Sequence, residues 1–385
     1  MGSGISKKQT QTPATPTKKK GKKDGYLLKS VKEHEGAINA ICMSHDGTTI
    51  VTVSEDKTGR LWDTKTEECV GLLHGHKSYI ISVCVSERYI FTSSADKTVR
   101  KWNLESGACI KTFLGHTSNV NRVICSGDLV FSSSYDKTVK CWHADTGECL
   151  RTFRGHRFSV TPLLLVSDSN RGAAFAADLE NNDDILISGS VDGTAKSWGM
   201  NSNECLVTYK GHGGAVNCLA VDGKGKTLFT GSADSTIRSW DLLTGAPIKT
   251  FQGHQGAIIQ LQVVNKLMYS CSADQTAKCW VIEFGDCTRT YKGHKHTIKN
   301  LQFSDGLLIT CSGDKTLKVY ESKSGMCKRT FNAGIEAGPV NCFVATRGRL
   351  YSGCHDGSLI IWDATKLRED EDDIYQNFQE NGVKK

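Results

Sequence analysis

Several features are scarce or missing in this chain. Proline occurs five times in 385 residues, and no apolar run approaches the about 18 residues that a membrane-spanning helix needs. The N-terminus has no apolar segment of the kind that directs secretion. We therefore expect neither a transmembrane helix nor export. Five Pro with 38 Gly fit many short strands joined by tight turns.

Acidic residues are scarce at one end of the chain. Residues 1–32 hold nine Lys and one Asp, a charge of +8, which leaves −1 for the remainder of a chain whose net charge is +7. Residues 1–24 also contain almost no large apolar side chains, so we expect a disordered basic arm. The nearly neutral remainder argues against a nucleic-acid partner.

The rest of the chain consists of one unit of about 40 residues that occurs eight times. Each unit ends on an aromatic residue with an Asp six positions before it, and seven units carry a His further upstream. The aromatic residues are Trp62, Trp102, Trp142, Trp198, Trp240, Trp280, Tyr320 and Trp362. The Asp residues are Asp56, Asp96, Asp136, Asp192, Asp234, Asp274, Asp314 and Asp356. The His residues are His34, His76, His116, His156, His212, His254 and His294.

Stretches such as SADKTVRKWN, SYDKTVKCWH and SADSTIRSWD resemble the WD-repeat β-propeller family over about residues 26–363. The resemblance implies an all-β WD40 β-propeller with eight four-stranded blades; seven blades with one displaced unit is the alternative. The segment YLLKSVKEH (residues 26–34) has the pattern of an outer strand, while the last unit ends after its third strand. We therefore expect the N-terminal strand to complete the last blade and close the ring.

The predicted domains are the arm at 1–24, the propeller at 25–365 and an acidic flexible tail at 366–385. The fourth unit contains an additional acidic segment, residues 167–184, which we place between its first and second strands. The eighth unit lacks the His and has Cys354 in place of a Ser, and the seventh has Tyr320 in place of Trp. We expect the closing blade to be the least rigid.

In the resembled family a His, a second-strand Ser or Thr, the turn Asp and the Trp form a buried hydrogen-bonded tetrad. A His–Asp–Ser set also occurs in hydrolases, but sevenfold repetition predicts a structural role and no enzymatic activity. The predicted tetrads are His76, Ser94, Asp96 and Trp102; His116, Ser134, Asp136 and Trp142; and His212, Ser232, Asp234 and Trp240.

Six of the 16 cysteines occupy one repeat position. Equivalent positions lie on different blades, beyond the roughly 4–7 Å between Cα atoms that a disulfide requires. We expect buried, apolar thiols in a reducing compartment. Since His and Cys follow the repeat without a ligand cluster, the sequence predicts no metal and no cofactor. The six are Cys69, Cys109, Cys149, Cys205, Cys287 and Cys327.

The first seven residues, MGSGISK, match the pattern for N-myristoylation, with Gly2 as the acceptor. One acyl chain binds membranes weakly, and a second signal is needed for stable attachment. Basic residues near an anionic membrane can supply it. The alternative is that KKKGKK is a nuclear-import or solubilising segment. The basic residues are Lys7, Lys8, Lys18, Lys19, Lys20, Lys22 and Lys23.

These patterns predict a non-enzymatic scaffold that binds proteins or peptides at the cytoplasmic face of a membrane. The alternative is a nuclear or cytosolic recognition subunit, such as a ubiquitin-ligase substrate receptor. No small-molecule substrate is expected. Aromatic and Arg side chains are enriched in interface cores. We expect the contact surface at Tyr79, Tyr135, Arg157 and Phe158, on the face that bears the His and Asp turns, with the acidic segment as the second candidate.

Overall fold

The computed structural model describes residues 26–167, 184–200, 202–346, 348–365 and 367. Thirty-two strands form eight four-stranded antiparallel sheets. Each sheet is one blade of a β-propeller, and the innermost strands of neighbouring blades contact one another around a closed ring. The predicted eight-bladed propeller is confirmed, and the seven-bladed alternative is wrong. The arm, the tail and most of the acidic segment lie outside the described residues.

The first four blades each take four consecutive strands, ordered from the channel outward. The first blade contains β2 Ile38–Met43, β3 Thr49–Ser54, β4 Gly59–Asp63 and β5 Cys69–Leu73. The second contains β6 Ile80–Val85, β7 Tyr89–Ser94, β8 Val99–Asn103 and β9 Cys109–Phe113. The third contains β10 Val120–Ser126, β11 Leu129–Ser134, β12 Val139–His143 and β13 Cys149–Phe153. The fourth contains β14 Val160–Val166, β15 Ile185–Ser190, β16 Thr194–Gly199 and β17 Cys205–Lys210.

The next three blades repeat this order. The fifth contains β18 Val216–Val221, β19 Thr227–Ser232, β20 Ile237–Asp241 and β21 Pro247–Phe251. The sixth contains β22 Ile258–Val264, β23 Leu267–Ser272, β24 Ala277–Val281 and β25 Cys287–Tyr291. The seventh contains β26 Ile298–Ser304, β27 Leu307–Ser312, β28 Thr316–Glu321 and β29 Cys327–Asn332.

The eighth, closing blade joins the two ends of the described chain. Its strands are β30 Val340–Thr346, β31 Arg349–Cys354, β32 Ser358–Asp363 and, outermost, β1 Leu27–Lys32. β1 pairs antiparallel with β32. The Asp363 amide donates to the Tyr26 carbonyl at 2.8 Å, and the Arg329 guanidinium lies 4.1 Å from the centre of the Tyr26 ring. The predicted closure is confirmed.

The apolar core lies between the blades. Each strand alternates apolar side chains between its two faces, so each blade buries both of its faces against neighbours. The ring of Phe113, at the end of one blade's outer strand, packs edge-on against Trp142 of the next blade, with 5.8 Å between ring centres. Phe251 meets Trp280 in the same way at 5.9 Å. The repeated Trp therefore links neighbouring blades as well as the strands of its own.

The six repeat cysteines are not buried as predicted. Five are exposed and Cys69 is half-buried. The reason is their position at the start of the outermost strand, whose outer edge faces solvent. A basic side chain of the neighbouring strand reaches several of them; for example, the Arg100 guanidinium donates to the Cys109 Sγ at 3.6 Å.

Candidate functional site

A buried chain of hydrogen bonds runs through the third blade. The Trp142 indole donates to the Ser132 Oγ at 2.8 Å. The Ser132 Oγ lies 2.8 Å from His116 Nε2, and His116 Nδ1 lies 2.7 Å from the Asp136 carboxylate. A Trp can only donate and an ionised Asp can only accept. Nδ1–H therefore donates to Asp136, and the Ser132 hydroxyl, which accepts from Trp142, can donate its own hydrogen to Nε2.

The serines predicted for this chain are the wrong ones. Ser94 lies at the start of the turn, where its Oγ donates to the Ser78 carbonyl at 3.0 Å and accepts from the Asp96 amide at 3.1 Å. The hydroxyl between His76 and Trp102 belongs to Thr92, two residues earlier. Likewise, Ser134 and Ser232 hold turns. The hydroxyl residues of the buried chains are Thr52, Thr92, Ser132, Ser188, Thr230, Ser270 and Thr310.

A signal for the correct residue was present in the sequence. Residues two apart on a strand face the same side, so alternation allowed both Thr92 and Ser94. However, the earlier position is a hydroxyl residue in all eight units, including Ser352 of the last unit, whereas the later one becomes Cys354 there. Complete retention of the hydroxyl within the eight units identifies the tetrad position.

The hydrogen bonds of the network keep its Asp ionised. Burial alone would raise the pKa of Asp136, but hydrogen bonds from His116 and Thr138 outweigh it and hold that pKa well below its usual range. The same balance of burial against hydrogen bonds lowers the pKa of Asp192 and of Asp234 to about 2.

For the imidazoles, burial is the stronger of the two effects on the pKa. Burial lowers the pKa of His76, of His156 and of His212, and the hydrogen bond that each imidazole donates to its partner Asp opposes this effect without overcoming it. Neutral imidazole agrees with that hydrogen-bond direction, because its Nε2 can accept.

This connectivity matches that of a hydrolase triad, but the surroundings do not. Ser132 is fully buried, and its oxygen already accepts a hydrogen bond from Trp142. A nucleophile must present a lone pair to a substrate, and this oxygen has no opening toward one. The network therefore serves to hold the strands of a blade together.

The last two blades depart from the pattern. In the seventh, the Tyr320 hydroxyl donates to the Lys292 carbonyl at 3.3 Å. In the closing blade, Trp362 still donates to Ser352 at 3.0 Å. Asp356 accepts from the Ser358 amide and hydroxyl at 2.9 and 2.7 Å. It therefore ties its own turn without a His.

The predicted contact residues lie on the turn-bearing face in blades two to four. Tyr79 is 42% exposed, Tyr135 63% and Phe158 57%, and Arg157 is exposed. Tyr79 and Phe158 therefore do not pack inward at the base of the first strand. The Asn119 side-chain amide donates to the Tyr79 hydroxyl at 3.5 Å. The backbone carbonyl of Asn119 accepts from the Tyr135 amide. We call Tyr79, Tyr135, Arg157 and Phe158 the aromatic sector.

The aromatic sector is also basic. Exposed cations accompany the rings, and the ammonium of Lys137 lies 6.0 Å from the centre of the Phe158 ring. Beside Arg157, a cavity of about 320 Å³ is lined by Lys196 and Lys210 together with Asp192. The exposed cations at the turns of these blades are Lys77, Lys97, Lys137 and Arg157.

The fifth and sixth blades present the same turns with different side chains. The positions equivalent to the rings hold small residues, and the positions equivalent to the cations hold uncharged ones. We call this region the plain sector. Its small residues are Gly214, Ala215, Ala233, Gly256, Ala257 and Ala273. Its uncharged residues are Gly213, Ser235, Gln255 and Gln275.

The closed ring of blades and its repeated His–Asp–Ser/Thr–Trp network define a WD-repeat propeller. The chain belongs to the WD40 family, whose model, described as "WD domain, G-beta repeat", matches eight times. Members of this family are generally non-enzymatic scaffolds that bind proteins or peptides. The matches cover residues 25–63, 67–103, 107–143, 147–199, 203–241, 245–281, 285–321 and 325–363.

Two known proteins are similar in sequence to parts of this chain. Human WD repeat-containing protein 86 is 57% identical over 201 residues, which are 52% of this chain and 54% of that protein. WD repeat-containing protein pop1 of Schizosaccharomyces pombe is 43% identical over 58 residues, 15% of this chain and 7% of that protein. The matches thus span about half, or less, of these relatives. The crystal structure of the computationally designed protein Ika8 has a TM-score of 0.78 at 28% identity and covers 88% of this chain and 100% of that one.

Two further features concern the class of protein. Among the described residues, no group of three or more His, Cys, Asp or Glu side chains is placed to hold a metal ion. In the same part of the chain, no helix has the length and apolar character to cross a bilayer.

Proposed function

We propose that this chain is a protein-interaction scaffold whose aromatic sector binds an acidic segment of a partner protein. The observation that carries the proposal is the exposure of three large rings in three consecutive blades on one face, together with four cations. Exposed rings of this size are costly to leave in water and are typical anchors of binding sites. Carboxylates on the partner complement Lys77, Lys97, Lys137 and Arg157.

The backbone frame beneath the aromatic sector, made of turns that the tetrads hold in place, is rigid, and this rigidity favours binding. The turns that carry Tyr135 and Phe158 are fixed by the tetrads of the third and fourth blades, through Asp136 and Asp192. The Arg157 amide itself donates to the Asp192 carboxylate at 2.8 Å. Side chains on a fixed backbone lose less entropy when a partner binds.

The test compares proximity labelling in cells by the wild type and by a triple variant, Tyr79→Ala, Tyr135→Ala and Phe158→Ala. A matched control carries Ser235→Ala, Gln255→Ala and Gln275→Ala in the plain sector. All three proteins must melt cooperatively at similar temperatures. We expect a set of labelled proteins to be lost from the aromatic variant alone. An unchanged set would refute the proposal and move the site to the other face, where the acidic segment is the next candidate.

We also propose that the basic arm tethers the propeller to the cytoplasmic face of a membrane through an acyl chain on Gly2. The seven Lys residues would add electrostatic attraction of up to about 7 kcal/mol. This proposal rests on the sequence alone, because the arm lies outside the described residues.

Acyl-chain labelling and fractionation of Gly2→Ala test the tether, with Gly4→Ala as the matched control that keeps the acceptor. We expect Gly2→Ala to lose the label and move to the soluble fraction. A wild type that carries no acyl group, or that is soluble at low salt, would contradict the tether. Nuclear accumulation that depends on residues 18–23 would favour the alternative of a nuclear recognition subunit.

A further inference from the structure

Three free thiols lie on the innermost strands of the first three blades. Cys42 is on β2, Cys84 on β6 and Cys125 on β10, each in the half of its strand that lies away from the Asp turns. The Cys84 thiol donates to the Cys125 Sγ across the boundary between the second and third blades, with 3.3 Å between the sulfur atoms. Both residues are partly exposed. The pair is distinct from the tetrads and from the aromatic sector.

The two sulfur atoms lie close to the separation that a disulfide bond requires. A disulfide holds its sulfur atoms about 2.05 Å apart, so Cys84 and Cys125 need to approach by about 1.2 Å. β6 and β10 are neighbours around the ring and contact each other along their length. Small side-chain rotations therefore complete most of the approach. Among the described cysteines, this is the one pair whose sulfur atoms are hydrogen-bonded to each other.

The two thiols differ in chemical character. The hydrogen bond from Cys84 lowers the pKa of Cys125 against the opposing effect of burial. The same hydrogen bond, together with burial, raises the pKa of Cys84 well above its usual value. The positive charge of Arg122 acts on Cys84 in the opposite direction. Since the thiolate is the reactive form, Cys125 is the first nucleophile and Cys84 the resolving thiol.

We propose that Cys84 and Cys125 form a reversible disulfide that joins the second and third blades when the protein meets a hydroperoxide. The Cys125 thiolate attacks one peroxide oxygen, the O–O bond breaks, and the leaving oxygen takes a proton and departs as water or an alcohol. Cys125 is then a sulfenic acid. Attack by the Cys84 sulfur forms the S–S bond and expels the sulfenic oxygen as water. Two thiols are oxidised, and the peroxide is reduced.

The bond would add a covalent link between two blades that already share packing contacts and the ion pair between Lys101 and Asp145, at 2.6 Å. It joins two cysteines that are 41 positions apart in the sequence, which restricts the unfolded chain. These blades also carry Tyr79 and Tyr135, so oxidation would fix the relative position of two parts of the aromatic sector. The disulfide itself does not depend on the proposed function.

The test treats the full chain with hydrogen peroxide, blocks remaining thiols in denaturant and maps peptides without reduction. We expect a cross-linked peptide containing Cys84 and Cys125 that dithiothreitol removes. Its yield should fall at least about tenfold when peroxide is added to the urea-unfolded chain, because folding supplies the proximity. The melting temperature should rise by about 5 °C on oxidation and return on reduction.

Three variants separate this pair from its neighbours. Cys84→Ser and Cys125→Ser should abolish the cross-link and the shift in melting temperature, whereas Cys42→Ser should keep both. A Cys42–Cys84 or Cys42–Cys125 bond as the main product would overturn the assignment. So would the absence of any cross-link at peroxide concentrations that already oxidise the exposed cysteines such as Cys109. Mapping of the wild type decides the matter even if one variant fails to fold.

Discussion

The aromatic sector and the plain sector of the turn-bearing face are built on the same frame. The His116–Asp136 contact in the third blade is 2.7 Å, and the His212–Asp234 contact in the fifth is 2.8 Å. The residue before the Asp is nevertheless Tyr in one blade and Ala in the other. The buried positions repeat because the blade requires them, and the exposed positions are free to differ. Function in such a fold is therefore to be sought at the exposed turn positions.

The largest expected effect is on the frame that both sectors share. Removal of residues 1–33 deletes β1 and uncovers the edge of β32, including the buried Leu359 and Ile361. An open, apolar edge invites aggregation. We expect this truncation to lose the cooperative melt and to aggregate in size-exclusion chromatography, while removal of residues 1–24 leaves both unchanged. A monomeric, cooperatively melting product of the longer truncation would show that closure is dispensable.

Single tetrad substitutions should be costly in both sectors alike. Asp136→Ala and Asp234→Ala each leave a buried imidazole N–H without an acceptor, and we expect each to lower the free energy of unfolding by about 3 kcal/mol. Asp356→Ala should cost less, because Asp356 accepts from Ser358 and no His depends on it. Urea denaturation measures all three. Equal losses at Asp136 and Asp356 would contradict the network.

Acid should weaken the two sectors together. The pKa of His76, of His156 and of His212 is lowered in the folded state, so the unfolded chain binds protons more readily. Stability therefore falls as pH drops below about 6.5. The Asp carboxylates, also lowered, stabilise the fold above about pH 4. Their contribution is lost as pH falls toward about 2, the pKa of Asp192 and of Asp234. A melting temperature that stays constant from pH 7 to about pH 4 would contradict neutral, buried imidazoles.

The smallest expected effect on stability belongs to the aromatic sector itself. Tyr79, Tyr135 and Phe158 are exposed, and surface substitutions usually change stability by less than about 0.5 kcal/mol. We expect each Ala variant to unfold within that margin of the wild type in urea. A loss of several kcal/mol from any of them would mean that the ring supports the fold and does not serve a partner.

The sequence predicted the repeat, the closure and the frame, because each depends on periodic patterns. Strand alternation alone does not distinguish Thr92 from Ser94, since it places both on one face; only a comparison of all eight units does, because each keeps a hydroxyl residue at the earlier position. Nor did the sequence predict the exposure of Cys109, because recurrence at one repeat position does not distinguish a buried position from an exposed one. The Cys84–Cys125 contact was not predictable either. The two residues occupy different repeat positions, and their contact depends on how neighbouring blades are rotated.

The central claim is that a partner contacts the aromatic sector and not its plain counterpart. Site-specific photo-crosslinking tests it most directly, with a photoreactive phenylalanine analogue placed at Tyr135 in one protein and at Ala233 in another. The two positions are equivalent in the repeat and both exposed, so only their surroundings differ. We predict that illumination in cells links partner proteins to position 135 and not to position 233. Equal cross-linking at the two positions, or none at position 135, would contradict the claim.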